Sequence, residues 1–239
     1  MSNKKEKPVL KYNLDAIDEL SALTADNISR FNSKVTCKRY RAGETIFMQD
    51  DLCRGLYFVE QGLVVVRKID SEGRTAVVRL AFKGDTLGYR PMLAKENHRA
   101  GADVIKAATV CFMDSKTMLD ILYSNPDLGM KFLERTARAL GDVEERFFEV
   151  AALNVRIRLV HLLLLLNDRF GRISSDGMLI LELPLTRRDM ASMIGAQPES
   201  VSRTIHDLQA EGLANFSGRD VHIPVYDRLV EELHPRLNS

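Results

Sequence analysis

Short apolar runs crowd the first half of this chain, whereas the second half carries longer stretches with helical spacing. Up to about Asp120 the runs ETIFMQ, GLYFVEQG, LVVVRKI, TAVVRLAF and ATVCFMD are β-branched or aromatic, and glycine-bearing turns such as DSEGR and FKGD separate several of them. Closely spaced strands of this kind predict an antiparallel roll or sandwich. At NPDLGMKFLERTARALGDVEERFFEVAALN the period changes. Asn125 and Pro126 supply a helix start. Leu133, Thr136, Leu140, Val143, Phe147 and Val150 then recur at alternating spacings of three and four, the seam of a two-stranded coiled coil. Such a helix would run roughly 42 Å at about 1.5 Å per residue. Its narrow stripe, flanked by Glu and Arg, predicts a homodimer interface; the competing reading is a long helix packed on its own domain.

Beyond Asn154 a helix extends to about Phe170, followed by the strand-like GMLILELPLT. Two short helices divided at Gly195 come next. The segment LANFSGRDVHIPV then reads as a hairpin turning at Ser217-Gly218-Arg219-Asp220. Helix, strand, helix, turn, helix and hairpin make a winged helix-turn-helix. The expected fold is therefore α+β in three parts: an antiparallel roll with an N-terminal helical segment over 1–125, a long helix over 126–153, and a winged helix over 154–239.

Within the helix pair, Thr186 is placed to cap the first helix, with Asp189 as an acidic capping-box partner. Met190, Ala191 and Ile194 give that helix an inward face, Gly195 suits the turn, and Pro198 fits the first turn of the second helix. At about 3.6 residues per turn, Val201, Ile205 and Leu208 share one buried stripe. Glu199, Arg203 and His206 fall opposite it, with Ser202 alongside. Recognition helices present this N-terminal region to the DNA major groove. Arg grips guanine O6 and N7 with two donors, Glu accepts from cytosine N4, and Ser donates to thymine or phosphate. Thr186, Arg187, Gln197 and Ser200 complete the candidate DNA-facing set.

Composition changes this picture little. The chain has 239 residues, 45% of them hydrophobic, with a formal net charge of +1. From Asn154 onward ten Arg and no Lys stand against eleven acidic residues, so polyanion binding there must come from a few placed arginines. Three widely spaced cysteines, Cys37, Cys53 and Cys111, predict neither a disulfide framework nor a zinc site, and fit a reducing compartment. The charged start MSNKKEKPVLKYNL has no signal-peptide core, and RLVHLLLLLNDRF is too short an apolar run for a membrane span. A cytoplasmic protein is expected. A Ser-His-Asp order, HExxH, P-loop or strand-borne GxGxxG is absent, so enzyme activity is not expected.

The chain resembles the cyclic-AMP receptor protein and FNR (CRP/FNR) family of transcription regulators over nearly its whole length. The most specific segment is LPLTRRDMASMIGAQPESVSRTIHDLQAEGL; YRAGETIFMQDD and GLYFVEQGLVVV look like the first strands of the family's cyclic-nucleotide-binding jelly roll, with Asp50 where a glycine is usual. Glu199, Ser202 and Arg203 are similar to the FNR branch, which reads a TTGAT-type half-site in an inverted repeat. The resemblance implies Arg203 on the guanine, Glu199 on its partner base or neighbour, and Ser202 on a thymine. It also implies double-stranded DNA, a second copy of the chain and, for an activator, RNA polymerase as partners.

The same comparison falters at the sensor. Cyclic-nucleotide binders of the family hold the ribose with a Gly-Glu-Leu glutamate and the cyclic phosphate with a later Arg-Ser pair. In GDTLGYRPMLAKENHRAGADV, Gly88 and Arg99 remain, but Tyr89 replaces the glutamate and Ala100 the serine. Val143 and Glu144 align with the Thr-Ser pair that caps adenine. Losing three of four polar contacts costs several kcal/mol at about 1 kcal/mol each, so cyclic AMP is not expected. Nor is an FNR-type iron–sulfur cluster, which needs four cysteines mostly near the N-terminus. Four readings stay open: haem on His98, otherwise a surface loop residue; thiol sensing by Cys53 or Cys111; another anionic small molecule held by Tyr89, Arg90 and Arg99; or no effector. A ligand-sensing regulatory subunit whose winged helix contacts protein is the rival to DNA binding.

Overall fold

A computed structural model describes residues 10–12, 14–175 and 177–233, so the Lys-rich start of the chain lies outside the described residues. The chain divides into two compact units, Met1–Gly141 and Asp142–Ser239.

In the first unit a 3-10 turn (Asp18–Ala22) and helix α1 (Ala25–Lys34) precede a roll of six antiparallel strands. These are β1 (Thr36–Tyr40), β2 (Thr45–Phe47), β3 (Gly55–Ile69), β4 (Thr75–Ala81), β5 (Thr86–Leu87) and β6 (Gly101–Asp114), with the short helix α2 (Tyr89–Ala94) before β6. Helices α3 (Ser115–Ser124) and α4 (Pro126–Ala152) follow. The long strands β3 and β6 pair with each other throughout, and each takes a different second partner at its two ends. β6 pairs with β1 through 108–112 and with β2 through 102–103, while β3 pairs with β5 at 57–58 and with β4 through 64–69. That exchange of partners curls the sheet into a roll. Register shifts along β3–β6 between Val59 and Val64 provide the bend, at a point where Gly62 has φ +96° and a Cβ would meet the Ala107 carbonyl at 2.4 Å.

Two apolar clusters fill this unit. One lies inside the roll around Val59, Val64, Leu87, Ala102 and Val110. The other joins α1, α3 and the start of α4 to the opposite sheet face, through Phe31, Phe58, Met113, Ile121 and Phe132. Arg135 of α4 ties three elements together. It donates to Glu19 Oε1 at 2.5 Å and to Asp85 Oδ1 at 3.0 Å, with Glu19 only 1% exposed.

Two expectations change here. GLYFVEQG and LVVVRKI form one continuous strand, because Gly62 makes a bulge rather than a turn. And the cysteines are not all free: Cys37 and Cys111, directly opposite each other in the β1–β6 register, form a disulfide, leaving Cys53 as the free thiol. Spacing along the chain cannot reveal this pairing, since strand register brings together residues 74 apart. Asp50 has φ +67°, a left-handed conformation, which explains why a glycine would suit that position.

In the second unit, Asn154 accepts a hydrogen bond from the Ile157 amide at 3.0 Å and starts helix α5 (Val155–Phe170). Strands β7 (Gly171–Ile173) and β8 (Leu179–Glu182) precede helices α6 (Arg187–Met193) and α7 (Pro198–Ala210). Strands β9 (Asn215–Ser217) and β10 (Asp220–Ile223) and helix α8 (Tyr226–Glu231) complete it, in a sheet of order β7-β8-β10-β9. Among the described residues no helix is long and apolar enough to cross a membrane.

Removing Arg135 tests how much the first unit leans on its ion network. Arg135→Ala strands the buried Glu19 carboxylate and should cost about 3 kcal/mol or more in urea unfolding. A loss below about 1 kcal/mol would place the stabilisation elsewhere.

Candidate nucleic-acid interface and effector loop

The helix pair is built as its residues dictate. Thr186 Oγ1 accepts from the Asp189 amide at 3.1 Å while the Asp189 carboxylate accepts from the Thr186 amide at 2.9 Å, closing the expected capping box. Gly195 makes the turn with φ +61°; a Cβ there would sit 2.9 Å from Val150 Cγ2. Arg158 of α5, 8% exposed, donates to the carbonyls of Ile194 at 2.6 Å and Gly195 at 3.3 Å. Its guanidinium thereby satisfies carbonyls that the end of α6 leaves over. At the far end of α7, Arg156 grips Glu211 with two donors and Glu232 with a third.

With α7 held at both ends, Val201, Ile205 and Leu208 are buried, as the periodicity predicts. Gln197, Glu199, Arg203 and His206 are exposed, and Ser200 and Ser202 are half-buried. Thr186 and Arg187 are exposed at the start of α6. Glu199, Arg203 and Arg187 make no ion pair or hydrogen bond among the described residues. The Ser200 carbonyl accepts from the Thr204 hydroxyl at 2.9 Å. Between α6 and the β9–β10 hairpin lies a cavity of about 170 Å³, bordered by Thr186, Arg187, Met190, Phe216 and Arg219. The Leu183 amide donates to the Arg219 carbonyl at 2.9 Å and fixes the hairpin tip beside α6. Arg188 and Arg219, both exposed, and the buried Arg158 were not singled out from sequence. Arg158 left one signal: it shares a helical face with Leu162 and Leu166.

On α4 the seam residues Leu133, Leu140, Val143, Phe147 and Val150 are all exposed, Phe147 by 77%, and Thr136 is exposed with them. Glu144 is exposed in the same turn as Val143.

The loop over 88–99, the candidate effector site, is arranged differently from what its sequence suggests. Gly88 has φ +82°, and a Cβ would come 2.7 Å from the Gly55 carbonyl, so the position admits only glycine. Arg90 and Arg99 converge on Glu96, at 2.9 and 2.7 Å, and Arg90 first, then Arg99, holds its carboxyl below the ordinary value. Glu96 is the residue sequence reasoning missed. Tyr89 points away from this pair and packs near Phe132, with the Arg135 guanidinium 5.3 Å from its ring centre. His98 is not a surface residue: it is 3% exposed and stacks on Phe47 with ring centres 3.8 Å apart. Its backbone bridges to Asp50 and Asp51, which holds the ring inward, and its Nε2 is buried without a hydrogen-bond partner among the described residues. Burial holds its pKa below 6.5, Asp51 opposing and Arg90 assisting. Burial likewise pushes the Cys53 thiol up, which weakens it as a sensing nucleophile, and Cys111 is consumed in the disulfide.

Comparison with known proteins matches residues 37–125 to the cyclic nucleotide-binding domain and residues 157–232 to the Crp-like helix-turn-helix domain. The nitrogen fixation regulation protein FixK of Bradyrhizobium diazoefficiens is 27% identical over 192 residues, 80% of this chain and 79% of its own. The cAMP-activated global transcriptional regulator CRP of Salmonella typhimurium is 24% identical over 202 residues, 83% and 94% of the two chains. The structure of FixK2 from Bradyrhizobium japonicum superposes with a TM-score of 0.68 at 26% identity, covering 82% of this chain and 96% of that one.

Arg158→Met should destabilise the chain by about 2–4 kcal/mol in urea unfolding, because the buried Ile194 carbonyl loses its donor and the Gly195 carbonyl a weaker one. An unchanged midpoint would refute the role of that guanidinium. For His98 the sign follows from its lowered pKa. As pH falls through 6.5 the unfolded chain takes up a proton that the folded chain refuses, so stability drops until the lower folded pKa is reached. Urea midpoints measured from pH 7 down to 5 should show this decline, and His98→Phe should reduce it; identical profiles would exclude His98 as its source.

Proposed function

Because this chain belongs to the CRP/FNR family of DNA-binding transcription regulators, whose members are not enzymes, we propose that it works as a homodimer reading an inverted repeat of FNR-like, TTGAT-type half-sites. One observation carries this reading. Among the described residues Arg203 and Glu199 stand exposed and unpaired on the same face of α7, while Arg156 and Arg158 nearby are committed to holding that helix in place. An unpaired Arg fork offers two donors to guanine, and an unpaired carboxylate beside it accepts from a cytosine amino group. Arg187, Arg188 and Arg219 flank them with charge for the phosphates, and the exposed seam of α4 supplies an apolar face for the second copy. Two such helices in a dimer would address half-sites about one helical turn apart.

Control runs through an effector other than cyclic AMP. The arginine that would meet a cyclic phosphate is already engaged by Glu96, Tyr89 stands where the ribose-binding glutamate would, and Ala100 supplies no hydroxyl. The proposed setting is the cytoplasm, with RNA polymerase as a further partner where the bound dimer activates.

Fluorescence anisotropy with a labelled FNR-type palindrome and a scrambled duplex tests the reading. Arg203→Ala should weaken the palindrome at least tenfold, about 1–3 kcal/mol per bidentate contact, and flatten the preference over the scrambled duplex. Affinity for the palindrome should fall steeply with salt, whereas a winged helix serving only a protein partner would show no salt-dependent DNA binding. A variant as tight and selective as the wild type would sink the assignment.

A further inference from the structure

We propose that Cys37 and Cys111 form a redox-operated modification site, a thiol–disulfide couple that fastens β1 and the helix before it onto the strand that leads into α3 and α4. The placement of the two sulfurs argues for this. β1 is an edge strand of five residues whose ladder partner is β6, and Cys37 lies second in that ladder, opposite Cys111. Cys37 is half-buried on the edge, whereas Cys111 is fully buried in the cluster that also holds Phe31, Val35, Met118 and Phe132. The bond thus joins the N-terminal layer to β6, which passes directly into α3.

The chemistry is a two-electron exchange with a low-molecular-weight thiol. An external thiolate attacks the Cys37 sulfur from the open edge, forming a mixed disulfide while the Cys111 thiolate leaves and takes up a proton. A second external thiolate attacks the mixed disulfide, releasing the external disulfide and the Cys37 thiolate, which is protonated in turn. Oxidation is the reverse, with the low-molecular-weight disulfide as oxidant. A carboxylate oxygen of Glu60 lies within 4.8 Å of both sulfurs. The apolar side chains that bury Cys111 disfavour a thiolate there, which makes that sulfur the poorer leaving group and favours the closed form. Cys53 plays no part in the exchange; its Sγ is directed to the carbonyls of Gly55 and Gly88.

The experiment equilibrates the full chain in glutathione buffers of graded reduced-to-oxidised ratio, then counts alkylated thiols by mass spectrometry. One thiol, Cys53, should react at the oxidising end and three at the reducing end, reversibly. Hydrogen exchange of residues 25–40 under the two conditions supplies the second readout. Exchange there should be at least threefold slower in the oxidised wild type, with no such difference in Cys37→Ser or Cys111→Ala. Three reactive thiols under oxidising buffer, a bridge mapped to Cys53, or redox-dependent protection that persists in both variants would each overturn the proposal. None of these readouts depends on DNA, so the outcome is separate from that of the palindrome assay.

Discussion

The buried guanidinium of Arg158 sets where the second unit points its chemistry. A helix-turn-helix needs its second helix at a defined angle to the first, and the turn between them leaves backbone carbonyls that the core must satisfy. Arg158 reaches from α5 to the carbonyls of Ile194 and Gly195, and Val150 leaves no room for a side chain at Gly195. An uncompensated charge in that position would cost several kcal/mol, so the interaction holds only in the arrangement that aims the donors at both carbonyls. From this follow the burial of Val201, Ile205 and Leu208 and the exposure of Glu199 and Arg203.

The fate of the arginines also resolves the charge balance of the C-terminal region. Its near-neutral total counts against polyanion binding only if all charges are equivalent. They are not: Arg156 is neutralised by Glu211 and Glu232, and Arg158 is spent on carbonyls, while Arg187, Arg188, Arg203 and Arg219 remain at the surface around α6, α7 and the hairpin tip. A local cationic surface therefore coexists with a neutral sum, which suits steering by a few contacts rather than a broad field. The loop over 88–99 shows the opposite disposition. Arg90 and Arg99 meet a carboxylate from their own loop, and His98 is stacked inside the roll. Among the described residues the arginines around α6 and α7 are thus free at the surface, while those of the 88–99 loop are paired within it.

Much of the second unit was legible in the chain. The capping box at Thr186–Asp189, Gly195, Pro198 and the apolar period of α7 are local signals, and each acts within a few residues of itself. The same holds for α4, whose three-four spacing needs no tertiary information. The β-roll was harder. Strand β1, with the sequence TCKRY, carries no apolar alternation, and the first half of β6, GADVIKA, is interrupted by Asp103 and Lys106, so each is recognisable as a strand only through its long-range ladder. His98 was read as surface because the backbone bonds that draw it inward come from Asp50 and Asp51, far upstream in sequence.

Sequence alone thus determined the long helix α4, the helix pair α6–α7 with its capped start, the hairpin after it and which face of α7 is polar, since caps, glycine turns and helical period are encoded by neighbours a few residues apart. Tertiary structure decided which of those polar groups remain free. Arg203 and Arg158 are the same residue type 45 positions apart, yet one is exposed and the other is clamped in the core. Cys37 and Cys111 become partners through register, and Glu96 claims both loop arginines through a turn. The reason is common to all three: whether a charge or thiol is available depends on what the folded chain brings within about 4 Å of it, and that distance is not written in the local pattern.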